Sequence, residues 1–160
     1  LLSTLLSTIK KISKKDSLNQ IQEVINNGKA AEKFEQMVAA LGGPKNLLKD
    51  FDKLLFKAPF KEKIFAASSG FVSSIKTRKL GLLLIELGGG RKQTNDKIDF
   101  SVGFENTVDV GSKVNSSTPL LIVHAKSKES FDKLKEQIQE CFEITENAVS
   151  SLNIIYKTVT

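Results

Sequence analysis

Residues 80–104 constrain the fold more strongly than any other part of the chain. They begin with an apolar run over residues 80–87, interrupted by one glycine and one glutamate, and three consecutive glycines, Gly88–Gly90, follow it. A run this apolar must be buried on most sides, and adjacent glycines permit backbone angles or close approaches that a Cβ would forbid. We therefore expect Arg78–Leu87 to form a short buried helix, with Thr77 as its cap and the glycines as its exit.

Length and composition are those of an ordinary globular protein. The chain has 160 residues, of which 40% are hydrophobic and 26% charged, which allows one domain, or one domain with a small helical appendage. No apolar run approaches the roughly 20 residues that span a bilayer, so we expect no membrane partner. The one cysteine, Cys141, excludes an internal disulfide and is typical of a reducing compartment such as the cytoplasm.

The first residues are typical of a piece of a longer polypeptide. The chain begins at Leu1 without methionine, and residues 1–9 lack the basic region and the cleavage site of a signal peptide. We therefore expect a fragment whose parent has further domains. Helices that dock on missing parts, such as the one expected over residues 1–12, would be left with uncovered apolar faces that can pair between copies.

The formal net charge of +6 does not indicate a nucleic-acid partner. Only two of the basic residues are arginines, Arg78 and Arg91, and the lysines are spread along the whole chain. Nucleic-acid-binding proteins usually concentrate their positive charge and interleave it with aromatic residues or arginine. We expect a solvated basic surface.

The first fifty residues predict four helices, because their apolar residues recur at a 3.6-residue period. The expected helices are Leu1–Ile12, a second that is capped by Ser17 in a capping box with Gln20 and ends at Asn26–Gly28, a third over Lys29–Leu41, and a short fourth from Pro44 to about Lys49. We expect the third helix to bury Ala30, Phe34, Met37, Val38 and Leu41.

After Pro59 the pattern changes to short strands mixed with helices. Expected here are a hairpin of strands Lys63–Ala67 and Phe71–Ile75, a strand near Val102–Asn106, tight turns at Val110–Val114 and Asn115–Thr118, a strand over Pro119–Ala125, and a helix capped by Ser127 with the apolar stripe Phe131, Leu134, Ile138 and Phe142. Ile144–Val149 and Ile154–Thr160 are expected to be extended.

The order strand, Val-Gly-x-x-Val, polar turn and Pro-Leu strand recurs in lipoyl- and biotinyl-type barrel-sandwich domains. Those carriers present a lysine at a hairpin tip, whereas Lys113 lies inside the turn itself. We expect a related architecture without carrier chemistry. The predicted fold class is α+β: N-terminal helices followed by a small antiparallel or mixed barrel-sandwich-like β domain with interspersed helices.

Few residues suggest reaction chemistry. The single histidine, His124, lies in a predicted strand and is interpreted as structural, and Cys141 is interpreted as a buried, inert thiol in the last helix. No residues have metal-site spacing, and we expect no cofactor. A cradle for phosphate is suggested by five loop residues: Gly88, Gly89, Gly90, Arg91 and Lys92. The spacing of a phosphate-binding P-loop is absent, and the glycines follow a helix instead of preceding it, so a structural turn is favoured.

Many short blocks, in order and in register, carry a resemblance to a known family. They are Gly28-Lys-Ala-Ala-Glu32, Met37-Val-Ala-Ala-Leu-Gly-Gly-Pro44, Gly70-Phe-Val-Ser73, Thr77-Arg78, Leu80-Gly81, Gly88-Gly-Gly-Arg91, Ile98-Asp99, Ser101-Val-Gly-Phe104, Pro119-Leu120 and His124-Ala-Lys126. From about Gly28 to Ala125 the chain resembles the C-terminal third of the thymidine phosphorylases, of the pyrimidine nucleoside phosphorylase family. A weaker likeness surrounds Tyr156, and residues 1–27 fit by helical pattern alone.

This resemblance implies a parent that is a pentosyltransferase of pyrimidine nucleoside salvage, cytoplasmic and homodimeric. Such enzymes convert thymidine and phosphate to thymine and 2-deoxyribose 1-phosphate. Their phosphate-binding and pyrimidine-binding motifs lie upstream, and none occurs here. The resemblance thus implies that residues 1–50 end the parent's larger domain and that residues 51–160 form its C-terminal α/β domain. Alone, the chain would be a non-catalytic scaffold that contacts the remainder of the polypeptide.

Two other interpretations remain open. One is a freestanding barrel-sandwich-type module that holds a small ligand or a protein partner at the loop Gly88–Lys97. The other is a basic nucleic-acid-binding protein, for which the spread of the lysines gives little support.

Overall fold

The computed structural model describes residues 1–155 and residue 157. It divides the chain into two compact units, one made of Leu1–Leu55 with the described residues beyond Leu152, and the other of Phe56–Leu152. Helices and small antiparallel sheets are both present, so the predicted α+β class is confirmed. Of the expected extended segment Ile154–Thr160, Tyr156 and residues 158–160 lie outside the described residues.

The first unit contains four helices. They are α1 (Leu2–Lys10), α2 (Lys14–Asn26), α3 (Lys29–Ala40) and α4 (Leu47–Leu54). Helix α4 begins three residues after the position expected from Pro44, because residues 45–46 form a turn. The backbone N–H of Leu48, in the first turn of α4, donates to the carboxylate of Glu35 at 3.0 Å, which gives the displaced helix start a side-chain acceptor.

The cap predicted for α2 is wrong. Ser13, in extended conformation, is the cap, and its hydroxyl accepts from the backbone N–H of Asp16 at 3.0 Å. Ser17 lies one turn inside the helix, where it is fully buried and donates to the carbonyl of Ser3 at 2.7 Å. Both serines precede residues that suit a helix start. The hydrogen bond from Ser17 to α1 uses its hydroxyl inside the helix pair and leaves Ser13 as the cap.

The apolar residues of these helices remain exposed. Phe34, Met37 and Leu41, expected to be buried, are 41%, 51% and 81% exposed. Leu5 and Ile9 of α1 are also exposed. Periodicity identifies an apolar face but does not say what covers it.

The second unit contains two three-stranded antiparallel sheets. Sheet A has the order β1-β5-β3 and sheet B the order β4-β2-β6. The strands are β1 (Phe60–Phe65), β2 (Gly70–Ile75), β3 (Gly103–Glu105), β4 (Lys113–Val114), β5 (Pro119–Ala125) and β6 (Phe142–Thr145), and the helices are α5 (Thr77–Leu84) and α6 (Lys128–Gln139). Among the residues described, the strands form two open sheets and no closed barrel.

The predicted hairpin of the first two strands is wrong. Both strands exist, but β1 pairs with β5 in sheet A, whereas β2 pairs with β4 and β6 in sheet B. The turn residues between them correctly indicate a break in the chain. They do not determine the pairing, because the partner strands β5, β4 and β6 all lie further along the chain.

A single apolar core belongs to this second unit. Its buried residues are Ile64, Ala66, Val72, Leu80, Leu83, Leu87, Val114, Leu120, Leu121, Val123, Ala125, Phe131, Leu134, Ile138, Cys141 and Phe142. The helices contribute one apolar face each, and the rings of Phe60 and Phe131 pack at a centroid distance of 5.4 Å. Both sheets and both helices therefore share one core.

Helix α5 confirms that the apolar run is helical, but burial on most sides is wrong: Leu80 and Leu83 lie in the core, whereas Leu82 is 54% exposed. The helix continues into one wide turn of π geometry, Ile85–Gly89, within which Gly88 leaves the helical conformation at a φ of 110°, a value open to glycine. Thr77, however, does not cap it: the N-cap is Lys76, without a side-chain hydrogen bond.

The last helix begins as predicted and ends early. The hydroxyl of Ser127 accepts from the N–H of Ser130 at 3.2 Å, and the Ser130 hydroxyl accepts from the N–H of Ser127 at 3.1 Å. Cys141 follows the helix instead of lying within it, and Phe142 starts β6 instead of continuing the helical stripe. Strand β6 ends at Thr145 and so covers only the first two residues of the extended segment expected over Ile144–Val149. No helix in the described ranges has the length and apolarity to cross a membrane.

Candidate functional site

The glycine turn after α5 is packed tightly against that helix. A Cβ on Gly89 would lie 2.8 Å from Cδ1 of Leu84, and a Cβ on Gly90 would lie 2.6 Å from Cγ1 of Ile85. Either distance is too short for a side chain without movement. These glycines thus have a packing role whether or not the turn binds a ligand.

Two backbone donors at the end of this turn, those of Lys92 and Gln93, are already engaged. The carboxylate of Asp96 accepts from the N–H groups of Lys92 and Gln93, each at 2.9 Å. A phosphate at this position would compete with a carboxylate fixed in the same loop. The side chains of Arg91 and Lys92 are exposed. This geometry favours the structural turn.

A second aspartate closes the same loop. The N–H of Asp99 donates to the carbonyl of Gly88 at 3.0 Å. Its carboxylate accepts from the hydroxyl of Ser101 at 2.6 Å and from the N–H of Ser101 at 2.9 Å. These two hydrogen bonds, the hydroxyl's first, lower the pKa of Asp99 below its ordinary value. Asp99 thus ties residue 88, through its backbone N–H, to the approach of β3, where its carboxylate binds Ser101.

Sequence reasoning missed a polar cluster on sheet A. One carboxylate oxygen of Glu105, on β3, lies 2.7 Å from Nζ of Lys61 on β1 and 2.6 Å from Nε2 of His124 on β5. The hydrogen bond from Lys61 and then that from His124 lower the pKa of Glu105. We call Lys61, Glu105 and His124 the three-strand cluster.

The register of sheet A explains why these residues meet. His124 stands opposite Lys61 on one side and Gly103 on the other. Glu105 is two residues after Gly103 on the same strand, so the side chains of Lys61, His124 and Glu105 lie on one face of the sheet. A Cβ on Gly103 would meet nothing within 4 Å, which leaves this face open beside the histidine. The signal was present as strand alternation, but the partner strands were unknown from the sequence. His124 is held by a carboxylate, in keeping with its structural interpretation.

Two shallow depressions flank β1. One, of about 410 Å³, is lined by Lys61, Glu62, Lys63 and Ile122. The other, of about 380 Å³, lies between β1 and α6 and has three phenylalanines, Phe60, Phe65 and Phe131, in its lining.

The thiol of Cys141 matches its expected character. It is fully buried, its Sγ donates to the carbonyl of Gln137 at 3.3 Å, and burial raises its pKa. Within the described ranges, no three histidine, cysteine or acidic side chains are grouped so that they could hold a metal ion.

The fold and these loops define a small α+β domain in which two open sheets and two helices share one core and a glycine turn links α5 to β3. Residues 71–145 match the family model of the pyrimidine nucleoside phosphorylase C-terminal domain. The matched segment contains β3 to β6 with both helices and begins one residue into β2, so it takes in every strand of the two sheets except β1. This part of the chain is thus similar to the C-terminal domain of the pyrimidine nucleoside phosphorylases.

Proposed function

We propose that this chain is the C-terminal part of a thymidine phosphorylase and acts there as a scaffold without catalytic groups of its own. The observation that carries the proposal is the family match over residues 71–145. The residue blocks shared with thymidine phosphorylases extend the likeness to both sides of this segment. The parent reaction would convert thymidine and phosphate to thymine and 2-deoxyribose 1-phosphate.

The hydrogen bonds of the polar residues favour a structural role for this chain. His124 is bound to Glu105, and the N–H groups of Lys92 and Gln93 are bound to Asp96. Groups that could serve a substrate are thus used to hold strands and loops in place. A rigid body of this kind suits one side of a domain closure in the whole enzyme.

The organisation of the parent enters the proposal as well. We place the end of its larger domain at residues 1–50 and the C-terminal domain at residues 51–160, and the division of the chain after Leu55 supports a boundary in this region. The remainder of the polypeptide would supply the phosphate-binding and helical domains, the homodimer contact and the substrate site. The buried free thiol of Cys141 is compatible with the reducing cytoplasm where we place the enzyme.

The direct test is a phosphorolysis assay on this polypeptide. Thymidine and uridine are each incubated with phosphate and the chain, and the released base is quantified by chromatography. We expect no release above the rate without protein. Addition of a separately produced polypeptide with the parent's phosphate- and pyrimidine-binding domains should allow turnover, and a Val123→Asp chain with a disrupted core should not. Turnover by the chain alone would refute the scaffold role.

For the turn residues Gly88–Lys92 we propose a structural role instead of a binding role. Asp96 occupies the N–H of Lys92 and that of the next residue, Gln93, and Gly89 and Gly90 pack against α5 and the π turn that follows it. The other candidate, a freestanding binding module with its ligand at this loop, is supported by the exposed charges of Arg91 and Lys92. Calorimetric titration with inorganic phosphate separates them: no saturable heat is expected, and saturable binding lost in Arg91→Ala would favour the module.

A further inference from the structure

Strand β1 is an edge strand of sheet A. Among the described residues it pairs with β5 and with no other strand. An edge strand presents unpaired N–H and C=O groups that can pair with another chain. At six residues, Phe60–Phe65 is longer than β3, the three-residue strand at the opposite edge, so β1 offers the larger template.

Two side chains occupy hydrogen-bonding groups of this edge. The N–H of Lys63 donates to the carboxylate of Glu62 at 3.0 Å, and the carbonyl of Phe65 accepts from Nε2 of Gln139 at 2.7 Å. Lys63 and Phe65 are alternate residues. In an antiparallel pair alternate residues direct both backbone groups away from the partner strand, so both capped groups belong to the side that faces away from β5.

Charge and backbone shape also oppose pairing at this edge. A two-fold pairing of β1 with its own copy about residue 63 would place Lys63 directly opposite Lys63, and one about residue 62 would place Lys61 opposite Lys63. Like charges directly opposite each other destabilise a strand pair. The register with β5 shifts between Ile64 and Phe65, and such an irregularity bends a strand away from flat pairing.

The depression beside the edge is where an added strand would lie if these caps and charges did not oppose it. It lies between β1 and α6 and is lined in part by Phe60, Phe65 and Phe131. A strand added to β1 would lie along this lining, in which the three phenylalanines stand among charged and polar residues. Exposed edges of this composition are where sheets associate.

We propose that the edge of β1 is a guarded edge, closed by the caps from Glu62 and Gln139 and by the charge of Lys63 against pairing with β1 of a second copy of this chain. The guard acts on self-association and is independent of the function proposed above. It keeps sheet A three-stranded.

The test removes the caps from Glu62 and Gln139 and the charge of Lys63 in the full chain. The opened variant combines Glu62→Thr, Lys63→Thr and Gln139→Leu, which leaves the net charge unchanged. The matched control is Glu129→Thr, Lys133→Thr and Gln137→Leu, the same three replacements at exposed positions of α6. Circular dichroism verifies folding, and sedimentation equilibrium over a concentration series gives the association constant of each protein.

Freeing two edge groups for intermolecular hydrogen bonds should raise the association constant roughly tenfold over that of the unsubstituted chain and of the control. Because the exposed helices of the first unit can associate by themselves, hydrogen exchange locates the new contact. Amides at positions 61, 63 and 65 should become more protected at high concentration in the opened variant alone.

An opened variant that is folded and associates no more than the control would overturn the proposal, as would added association without new protection in β1. Should the triple variant fail to fold, Gln139→Leu and Glu62→Thr are measured singly. Each should raise association by a smaller factor, and no increase in either folded variant refutes the guard.

Discussion

The two units of the chain use the same kinds of residues with opposite results. In the unit of residues 56–152, sixteen hydrophobic residues are buried in one core. In residues 1–55, Ser17 is the one buried residue, while large apolar residues such as Leu5 and Met37 are exposed. Four amphipathic helices are therefore not yet a core. The sheet unit closes on itself because two sheets and two helices supply complementary faces, whereas the helical unit leaves much of its apolar surface exposed.

The largest expected effect comes from one truncation made in both units. Leu121→Ala removes a fully buried side chain from the central strand of sheet A and should lower the free energy of unfolding by about 2–5 kcal/mol. Leu5→Ala, at a leucine that is 58% exposed, should change it by less than about 0.5 kcal/mol. Urea unfolding followed by circular dichroism measures both. Equal losses would break the contrast between the units.

The glycine turn provides the next test, with a control in the preceding helix. Gly90→Ala places a Cβ against Ile85 and should cost about 1–3 kcal/mol, as overpacking does. Gly81→Ala lies in α5 with nothing within 4 Å of the new Cβ and should stabilise by up to about 1 kcal/mol. Thermal unfolding of the two variants measures the difference. If Gly90→Ala proved as harmless as Gly81→Ala, the turn would not need its glycines for packing.

The helix caps should have a smaller effect. Ser127→Ala removes the hydroxyl of a reciprocal capping box from the sheet unit and should cost about 1 kcal/mol. The corresponding loss at α2, Ser13→Ala, should mainly increase fraying of a helix whose outer face is exposed. Hydrogen exchange in the first turn of each helix reports the two effects. A larger global loss from Ser13→Ala would reverse the order of stability that we assign to the units.

The smallest expected effect is the pH dependence of the three-strand cluster. Lys61 and His124 lower the pKa of Glu105 from its ordinary value of 4.5, so the folded state favours the ionised carboxylate. Its stabilising contribution is therefore present above pH 4.5 and is lost as the pH falls through the lowered pKa. The thermal midpoints of the unsubstituted chain and of the Glu105→Gln variant should differ at neutral pH and become equal in acid. A difference that grew with acidity would contradict this sign.

The sequence was sufficient for local structure and insufficient for partners. The apolar run at residues 80–87 predicts α5, Ser127 predicts the start of α6, and the Pro-Leu segment Pro119–Ala125 predicts β5, because each signal acts within a few residues. The hairpin of β1 and β2 failed, since the partner of β1 lies almost sixty residues downstream in the chain.

The candidate site shows the same division. The glycine turn was evident from the sequence, but its closure by Asp96 depends on loop geometry. The three-strand cluster joins residues from three separate strands, and no spacing along the chain brings Lys61, Glu105 and His124 together. Only the register of sheet A does so.

Native-state hydrogen exchange of the whole chain tests the contrast between the units most directly. The account predicts the slowest exchange for amides of β5 and β2, at a free energy close to that of global unfolding, and much faster exchange throughout α1, α3 and α4. Protection of those helices equal to that of β5 would contradict it, because the helical unit would then have a closed core of its own.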